Sequence, residues 1–480
     1  MSFPRILITA LRGGSGKTLL SIGLIAAWKA AGRFPAPFKK GPDYIDAGWL
    51  SLAAERPCYN LDTFLIDARG IRDSVLGRTQ AEDIAVIEGN RGLYDCISTD
   101  GDTSTAELSK LLKTPMILCL DCTKTTRTMA AVVMGCCRFD PAADISGVIL
   151  NRVAGPRHEK NLKKNIEYHC GIPVLGTLPK LDARHFPERH MGLVPRQEHA
   201  WAKESVSAAA ETARKYLDMD GLAAVAEKAA SVSLLHVPKE EDTVFPDPVR
   251  GEKRVRIGII RDSAFQFYYP ENIEALEKSG AQIIFISPFS DADIPDMDGL
   301  YIGGGFPETH AGKLADNQLF RNKIRKMAQD GMPVYGECGG LMFLGKDLIL
   351  DGKTYPMSGV FPISFGLSPK PRGHGYTIVE VSRDNPWFPK GTQIRGHEFH
   401  YSHVLEYQGK SEDMVFSMKR GKGILEKKDG ICYKNVIGTY THIHALGTPE
   451  WAPAMVRNAL LYRGKITGRK QEMSAGNKKT

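Results

Sequence analysis

At 480 residues, 42% of them hydrophobic and 25% charged, the chain is too long for one ordinary core and reads as a soluble globular protein of two or three domains. No apolar run approaches the roughly eighteen residues of a membrane helix. The net charge of +8 suits an anionic substrate, but much of it sits in solvated runs such as NLKKN and the terminal GRKQEMSAGNKKT. No basic stripe interleaved with aromatics supports nucleic-acid binding.

The chain opens on RILITA, a short apolar strand ending in arginine and glycines rather than in a signal-peptide cleavage site. DIAVIEG, PMILCLD, ISGVILNRV and IPVLGTLP follow as further buried strands, separated by helical stretches such as KTLLSIGLIAAWKAAG and TTRTMAAVVMGCCR. This alternation predicts a doubly wound α/β domain over residues 1–225. SVSLLHVPKEEDTVFPDPVRGEKR breaks the rhythm with prolines and mixed charge and reads as a linker, 226–253. The pattern restarts with VRIGIIRD, ENIEALEKSG, AQIIFISP, DGLYIGGG, LFRNKIRKMAQDG and MPVYGE, and turns β-rich at YPMSGVFPISF and GYTIVEVS. A second α/β domain is expected over 254–465, with a disordered basic tail from 466. Nine scattered cysteines, an odd number, fit reduced thiols and a cytoplasmic location. The CLDC spacing, Cys119 to Cys122, lies on a strand without a second ligand pair and reads as structural.

ALRGGSGKTLLSIGL joins the first strand to the first helix. In such a loop the backbone N–H groups of Gly13, Gly14, Ser15 and Gly16 can hold phosphates, Lys17 can reach the terminal phosphate and Thr18 can bind Mg²⁺. Leu11 stands where the usual phosphate loop has its first glycine, and Arg12 stands where a variant loop carries lysine. FKKGPDYIDAGW adds Asp43 and Asp46; VIEGNRGLYD adds Glu88 and Asp95. Glu88 ends an apolar strand, where a carboxylate points into the ligand crevice of a doubly wound sheet and can hold Mg²⁺ between phosphates. A turn or capping role is the competing reading for these carboxylates. Asn151, just past another strand, can recognise adenine or cap the strand end. Arg91 can pair with a substrate carboxylate or lie on the surface.

In the second domain GECGG fits Gly-x-nucleophile-x-Gly between a strand and an apolar helical run. Small neighbours permit the strained turn that lifts Cys338 out of the sheet, and backbone N–H groups can stabilise an oxyanion. A thiolate needs a base, and GTYTHIHALGTPE offers His442 and His444. Gly303 to Gly305 end another strand and can supply further oxyanion donors; Gly304, Gly305 and Gly339 are the candidates.

RGGSGKT, FKKGPDYID, NLDTF, EGNRGLYD, GVILNRV, GGGFPE, GECGGLMFL, RGHEFHYS and GTYTHIH occur in this order over nearly the whole chain. In them the chain resembles the cobyrinic acid a,c-diamide synthase family, ATP-dependent amidases with a class I, triad-type glutamine amidotransferase domain. The resemblance implies a phosphate-loop amidoligase domain followed by that glutaminase domain. It implies Cys338 as the nucleophile that takes the glutamine amide as a thioester and His442 as the residue that activates it. Related triad enzymes carry Glu two residues after that histidine, where this chain has His444, so a Cys–His dyad is one expectation. The same resemblance places Asp43, Glu88 and Asp95 at the ATP and Mg²⁺ site and Tyr44 and Asp46 against a tetrapyrrole. The implied reaction activates acetate carboxylates as acyl phosphates and amidates them with ammonia from glutamine. Asn90, Arg91 and Cys96 depart from the usual motif, which leaves sirohaem-type or hydrogenobyrinate substrates open. Small-molecule partners are expected, no membrane, and a homodimer is left open. A partitioning-type switch ATPase, the rival from another class, leaves GECGG and GTYTH unexplained.

Overall fold

The computed structural model describes residues 2–180, 188–189, 192–193, 201–232, 234, 254–291 and 294–476. Two units, Met1–Lys239 and Glu240–Thr480, each carry their own sheet.

The first sheet has strands β1 (Arg5–Ala10), β2 (Phe34–Lys40), β3 (Tyr59–Leu61), β4 (Asp83–Glu88), β5 (Met116–Asp121), β6 (Ile145–Val153) and β7 (Val174–Pro179). Their order is β3-β2-β4-β1-β5-β6-β7, and every pairing is parallel. The continuous apolar runs follow from burial on both faces: Ile6, Leu7, Ile8, Ile117 and Leu118 are fully buried. Strand order reverses about β1, so the carboxyl ends of β1 and β4 border the crevice where α/β sheets bind ligands.

Two of these strands, β2 and β3, went unread in the sequence. FPAPFKK carries prolines that argue against an inner strand. However, β3 pairs with β2 only from Phe38 onward, so Pro35 and Pro37 precede the stretch it covers. Alternate residues of a parallel strand bond to opposite neighbours, and on the β3 side no ladder bond is lost at either proline.

The helix Met219–Ala230 crosses the boundary expected at 225, because Leu222, Ala223, Val225, Ala226 and Ala229 keep one buried stripe. The remainder of the expected linker, 235–253, lies outside the described residues. Cys119 and Cys122 are buried free thiols, each pushed up to about 12 by burial.

The second unit holds a ten-stranded mixed sheet. Ala281–Ile286, Val255–Ile260, Gly299–Ile302, Val334–Glu337 and Val436–Thr439 run parallel. Lys428–Tyr433, Met414–Arg420, Gly373–Val381, Gln393–His400 and His442–Ile443 continue the sheet antiparallel. Period-two alternation divides the core between its faces: Leu300, Ile302 and Val334 pack in one cluster, Tyr301 and Tyr335 in the other. The last helix, Trp451–Gly476, takes in residues 466–476, where a disordered tail was expected. KITGRKQEM is rich in good helix formers and extends a helix anchored by buried Trp451, Met455 and Ala459. Residues 477–480 lie outside the described residues. Among those described, no helix is long and apolar enough to cross a membrane.

Candidate functional site

In the first unit, α1 (Lys17–Ala30) starts directly after the glycine loop. Gly14 and Gly16 sit at φ 71° and 97°, a region that costs a side chain-bearing residue energy. A Cβ on Gly16 would also lie 2.4 Å from Asn151 Nδ2, whose amide donates to Ser15 O at 2.8 Å. Asn151 thus braces the loop from the end of β6, and its Oδ1 accepts from Arg152 N at 2.8 Å. Ser15 Oγ donates to Arg12 O at 3.0 Å. Lys17 is buried and folds back on the loop, donating to Arg12 O at 3.2 Å and Arg91 O at 2.7 Å. Burial and the nearby Lys39 lower its pKa.

Beside the loop lies a buried charge cluster. Thr18 Oγ1 donates to Glu88 Oε1 at 2.9 Å, and Lys39 Nζ reaches the same oxygen at 2.7 Å and Asp46 Oδ2 at 3.0 Å. Burial alone would discharge Lys39; Asp46 and Glu88 overcome it and raise its pKa. Burial raises Glu88 as well, and with Asp46 nearby it pushes Asp43 up to about 7. Asp43 Oδ1 accepts from Asp46 N at 2.8 Å, and Asn60 Nδ2 holds the Gly41 and Asp43 carbonyls at 2.8 and 2.9 Å. Tyr44 precedes the helix Ile45–Ala54 and is half-buried. Asp95 closes a turn, accepting from Gly92 N at 2.8 Å. Arg91 is exposed at φ 52°, and the contact it makes with Lys17 is through its carbonyl.

In the second unit, Cys338 follows the strand Val334–Glu337 and precedes the helix Gly339–Leu344 with φ 49° and ψ −96°, a conformation L-residues rarely hold. Glycines make it possible. A Cβ on Gly340 would lie 2.2 Å from Ile302 O, and Gly340 N donates to Gly303 O at 3.1 Å. Gly304 packs against His442: a Cβ there would sit 2.5 Å from its Cε1. Gly305 N lies within 3.1 Å of the Cβ position of Gly339, so the three expected oxyanion glycines do converge. Burial, then Glu308, raises the Cys338 thiol, while the Gly339 N–H lowers it. His442 is buried; its ring stacks on His397 at 4.8 Å and its Nδ1 lies 3.5 Å from Glu337 Oε2. His444 turns to Glu271, 3.6 Å away, and to the Tyr269 ring.

Residues 6–194 match the CobQ/CobB/MinD/ParA nucleotide binding domain, and residues 256–450 match the CobB/CobQ-like glutamine amidotransferase domain. The cobyrinate a,c-diamide synthase of Magnetococcus marinus is 42% identical over 454 residues, covering 95% of this chain and 97% of that protein. The chain belongs to the cobyrinate a,c-diamide synthase family. Enzymes of the same name from Archaeoglobus fulgidus and Listeria monocytogenes are 37% and 38% identical, covering 96% and 92% of this chain and 98% and 96% of theirs. As a member of this synthase family the chain is an enzyme, a glutamine-hydrolysing ligase, built of a nucleotide-binding domain and a glutamine amidotransferase domain.

Among the described residues, no cluster of three or more His, Cys, Asp or Glu side chains is arranged to hold a metal by itself. Mg²⁺ makes no such demand, since it keeps its waters and binds through one or two carboxylates and phosphate oxygens. The donors fit that pattern: beside Thr18, the Glu88 Oε2 atom is buried without a hydrogen-bond partner. Two buried side chains in contact with candidate residues, Lys39 with Glu88 and Glu337 with His442, are not among those singled out in the sequence. Lys39 was in plain view near the start of FKKGPDYID. Glu337 was hidden, because a residue next to a nucleophile on a regular strand faces the opposite side.

Proposed function

We propose that the chain amidates the a- and c-acetate carboxylates of cobyrinate, using ATP and ammonia released from glutamine. Supporting this reading most directly is the pairing, in one chain, of a strained Cys338–Gly339 turn and a buried His442 that both approach Gly304 with a phosphate loop that abuts the Glu88 cluster.

At the thiol site, Cys338 attacks the glutamine amide carbon, and the oxyanion is received by N–H groups among Gly304, Gly305 and Gly339. His442 passes the thiol proton to the departing nitrogen, which leaves as ammonia. Water then cleaves the thioester to glutamate and returns the thiol. In the first unit the acetate carboxylate takes the terminal phosphoryl group of ATP to give an acyl phosphate and ADP, and ammonia displaces phosphate to give the amide. Without that activation oxide would have to leave. Mg²⁺ bound with the nucleotide neutralises phosphate charge during the in-line transfer. Lys17 turns from the Arg91 and Arg12 carbonyls to the phosphates. Thr18 and Glu88 would hold the cation, and Lys39 holds Glu88 and Asp46 in place through its contacts with both. Tyr44, Asp46 and Arg91 border the carboxylate substrate.

The test offers the purified protein ATP, Mg²⁺, glutamine and, in separate reactions, cobyrinic acid, hydrogenobyrinic acid, sirohydrochlorin or sirohaem. Mass spectrometry then follows the loss of about one dalton that each acid-to-amide exchange produces. Two losses on cobyrinic acid are expected; none on any macrocycle, with ATP still hydrolysed, would sink the proposal. Cys338→Ala should abolish the glutamine-driven reaction and leave amidation by added ammonium intact, and loss of both in a folded protein would rule out two separate sites.

A further inference from the structure

A histidine that serves a thiol through Nε2 must have its other nitrogen held, or the ring turns and the proton settles on the wrong atom. The residue two positions after His442 does not supply that hold: His444 faces Glu271 instead. Glu337 lies where the hold is needed. It is fully buried at the end of the strand Val334–Glu337, with Oε2 3.5 Å from His442 Nδ1. That separation is long for a hydrogen bond, as catalytic contacts often are before substrate arrives.

Both carboxylate oxygens are fixed from elsewhere. Oε1 accepts from Ile443 N at 3.1 Å, the residue after the histidine, and Oε2 accepts from the Tyr301 hydroxyl at 3.0 Å. Asn272 ties the same network down, donating to Tyr301 Oη at 3.3 Å and Ile443 O at 3.1 Å and accepting from Ala445 N at 2.7 Å. The turn at Cys338 bears on how two consecutive residues can serve one imidazole. At φ 49° and ψ −96° Cys338 leaves the strand conformation, so the alternation that would set its side chain opposite that of Glu337 no longer holds.

We infer that Glu337 is the positioning residue of the thiol site, fixing the ring and tautomer of His442 so that Nε2 faces Cys338. The inference rests on the role proposed above for Cys338 and completes a Cys–His–Glu arrangement whose carboxylate directly precedes its nucleophile.

The role can be told from that of a bystander charge by sign. As a bare negative neighbour, Glu337 adds to the burial and the Glu308 charge that raise the Cys338 thiol, so its removal would ease ionisation. Acting through His442 it favours the thiolate–imidazolium pair, so its removal would hinder ionisation. Glu308, Glu398, His397, His444, Tyr301 and Tyr440 also surround the pair and are unchanged in every variant compared.

The experiment measures the rate of Cys338 alkylation by iodoacetamide against pH in the full-length protein, with the labelled peptide identified by mass spectrometry. Glu337→Gln is expected to move the midpoint to higher pH and to slow glutamine-driven turnover about a hundredfold. Glu337→Asp should keep a midpoint near that of the wild type. On a His442→Ala background, Glu337→Gln should no longer move the midpoint to higher pH, since that effect runs through the ring. A midpoint that moves to lower pH, or an equal effect with and without His442, overturns the inference. Should Glu337→Gln fail to fold, nitrogen NMR of the histidine-labelled wild type decides: a proton on Nδ1 is expected, and a neutral ring protonated at Nε2 alone refutes it. Cys338→Ala separates the two readings. If glutamine-driven amidation survives that change, the thiol site itself is wrong; if it is lost while Glu337→Gln behaves as wild type, only the role of Glu337 falls.

Discussion

Asp43 shows how burial and chemistry compete at one residue. Its carboxyl is pushed from 3.8 to about 7, by burial first and by Asp46 next, while Lys39 and the Asp46 N–H act against the shift. An acid whose folded pKa exceeds its unfolded value takes up protons on folding. Its ionisation therefore costs nothing below pH 3.8, costs progressively more as pH rises to about 7, and costs the full amount above that. Asp43→Asn keeps an acceptor for Asp46 N and removes the titration. The variant should melt with the wild type near pH 4 and a few degrees above it at pH 8, by calorimetry without nucleotide. A wild type as stable as the variant at pH 8 would refute this account of Asp43. The residue scale is also where the sequence was read best and worst. The glycines around Cys338 fixed its environment because each is required by a close approach, and close approach leaves its mark as glycine. Lys39 and Glu337 left no such mark, because their roles come from partners far away in sequence that only the folded sheets bring near.

Between residue and domain stands the turn that delivers His442. Asp429, buried on Lys428–Tyr433, collects donors from the adjacent strand and the turn that follows it: Oδ2 accepts from Thr439 Oγ1 at 2.7 Å, Thr441 Oγ1 at 2.9 Å and Thr441 N at 3.0 Å. Oδ1 accepts from Tyr440 N at 3.0 Å and Gly430 N at 2.9 Å. One side chain thus satisfies the backbone where Val436–Thr439 ends and His442–Ile443 begins. Burial pushes this carboxyl up, and hydrogen bonds from the Thr439 and Thr441 hydroxyls and the Tyr440 and Gly430 N–H groups pull it part of the way back. Asp429→Asn retains the Oδ1 acceptor but sets an amide against three donors. The threonine hydroxyls can rotate away, whereas the Thr441 N–H cannot. A loss of about 2 kcal/mol in urea unfolding is expected, with glutamine-driven turnover falling further than ammonium-driven amidation. A loss below about 0.5 kcal/mol would mean that the turn holds itself. Elements of this kind were partly legible. Five parallel strands announced themselves as apolar runs, whereas β2 was masked by prolines that its short neighbour makes harmless.

At the scale of the whole chain, the question is whether each unit holds its structure without the other. All seven strands of the first sheet come from residues 5–179, and all ten of the second from 255–443, so neither sheet borrows a strand. The second unit has two core clusters of its own, one on each side of its sheet, and the first buries β1, β4 and β5 between its helices. Each unit, at 239 and 241 residues, is well above the roughly 60 residues at which a domain can fold alone and within the usual range of domain size. Expressed as separate chains, residues 1–239 and 240–480 should each unfold in one cooperative transition by circular dichroism. The proposed chemistry sharpens the expectation. If the first unit carries the whole of the carboxylate-activating site, residues 1–239 supplied with ATP, Mg²⁺ and ammonium should amidate the macrocycle without any thiol site. Adding glutamine in place of ammonium should then yield nothing. A first half that folds cooperatively yet cannot use ammonium would show that the second unit contributes to amidation as well as supplying ammonia, and the assignment of the carboxylate site to Lys17, Thr18, Asp43 and Glu88 would be incomplete.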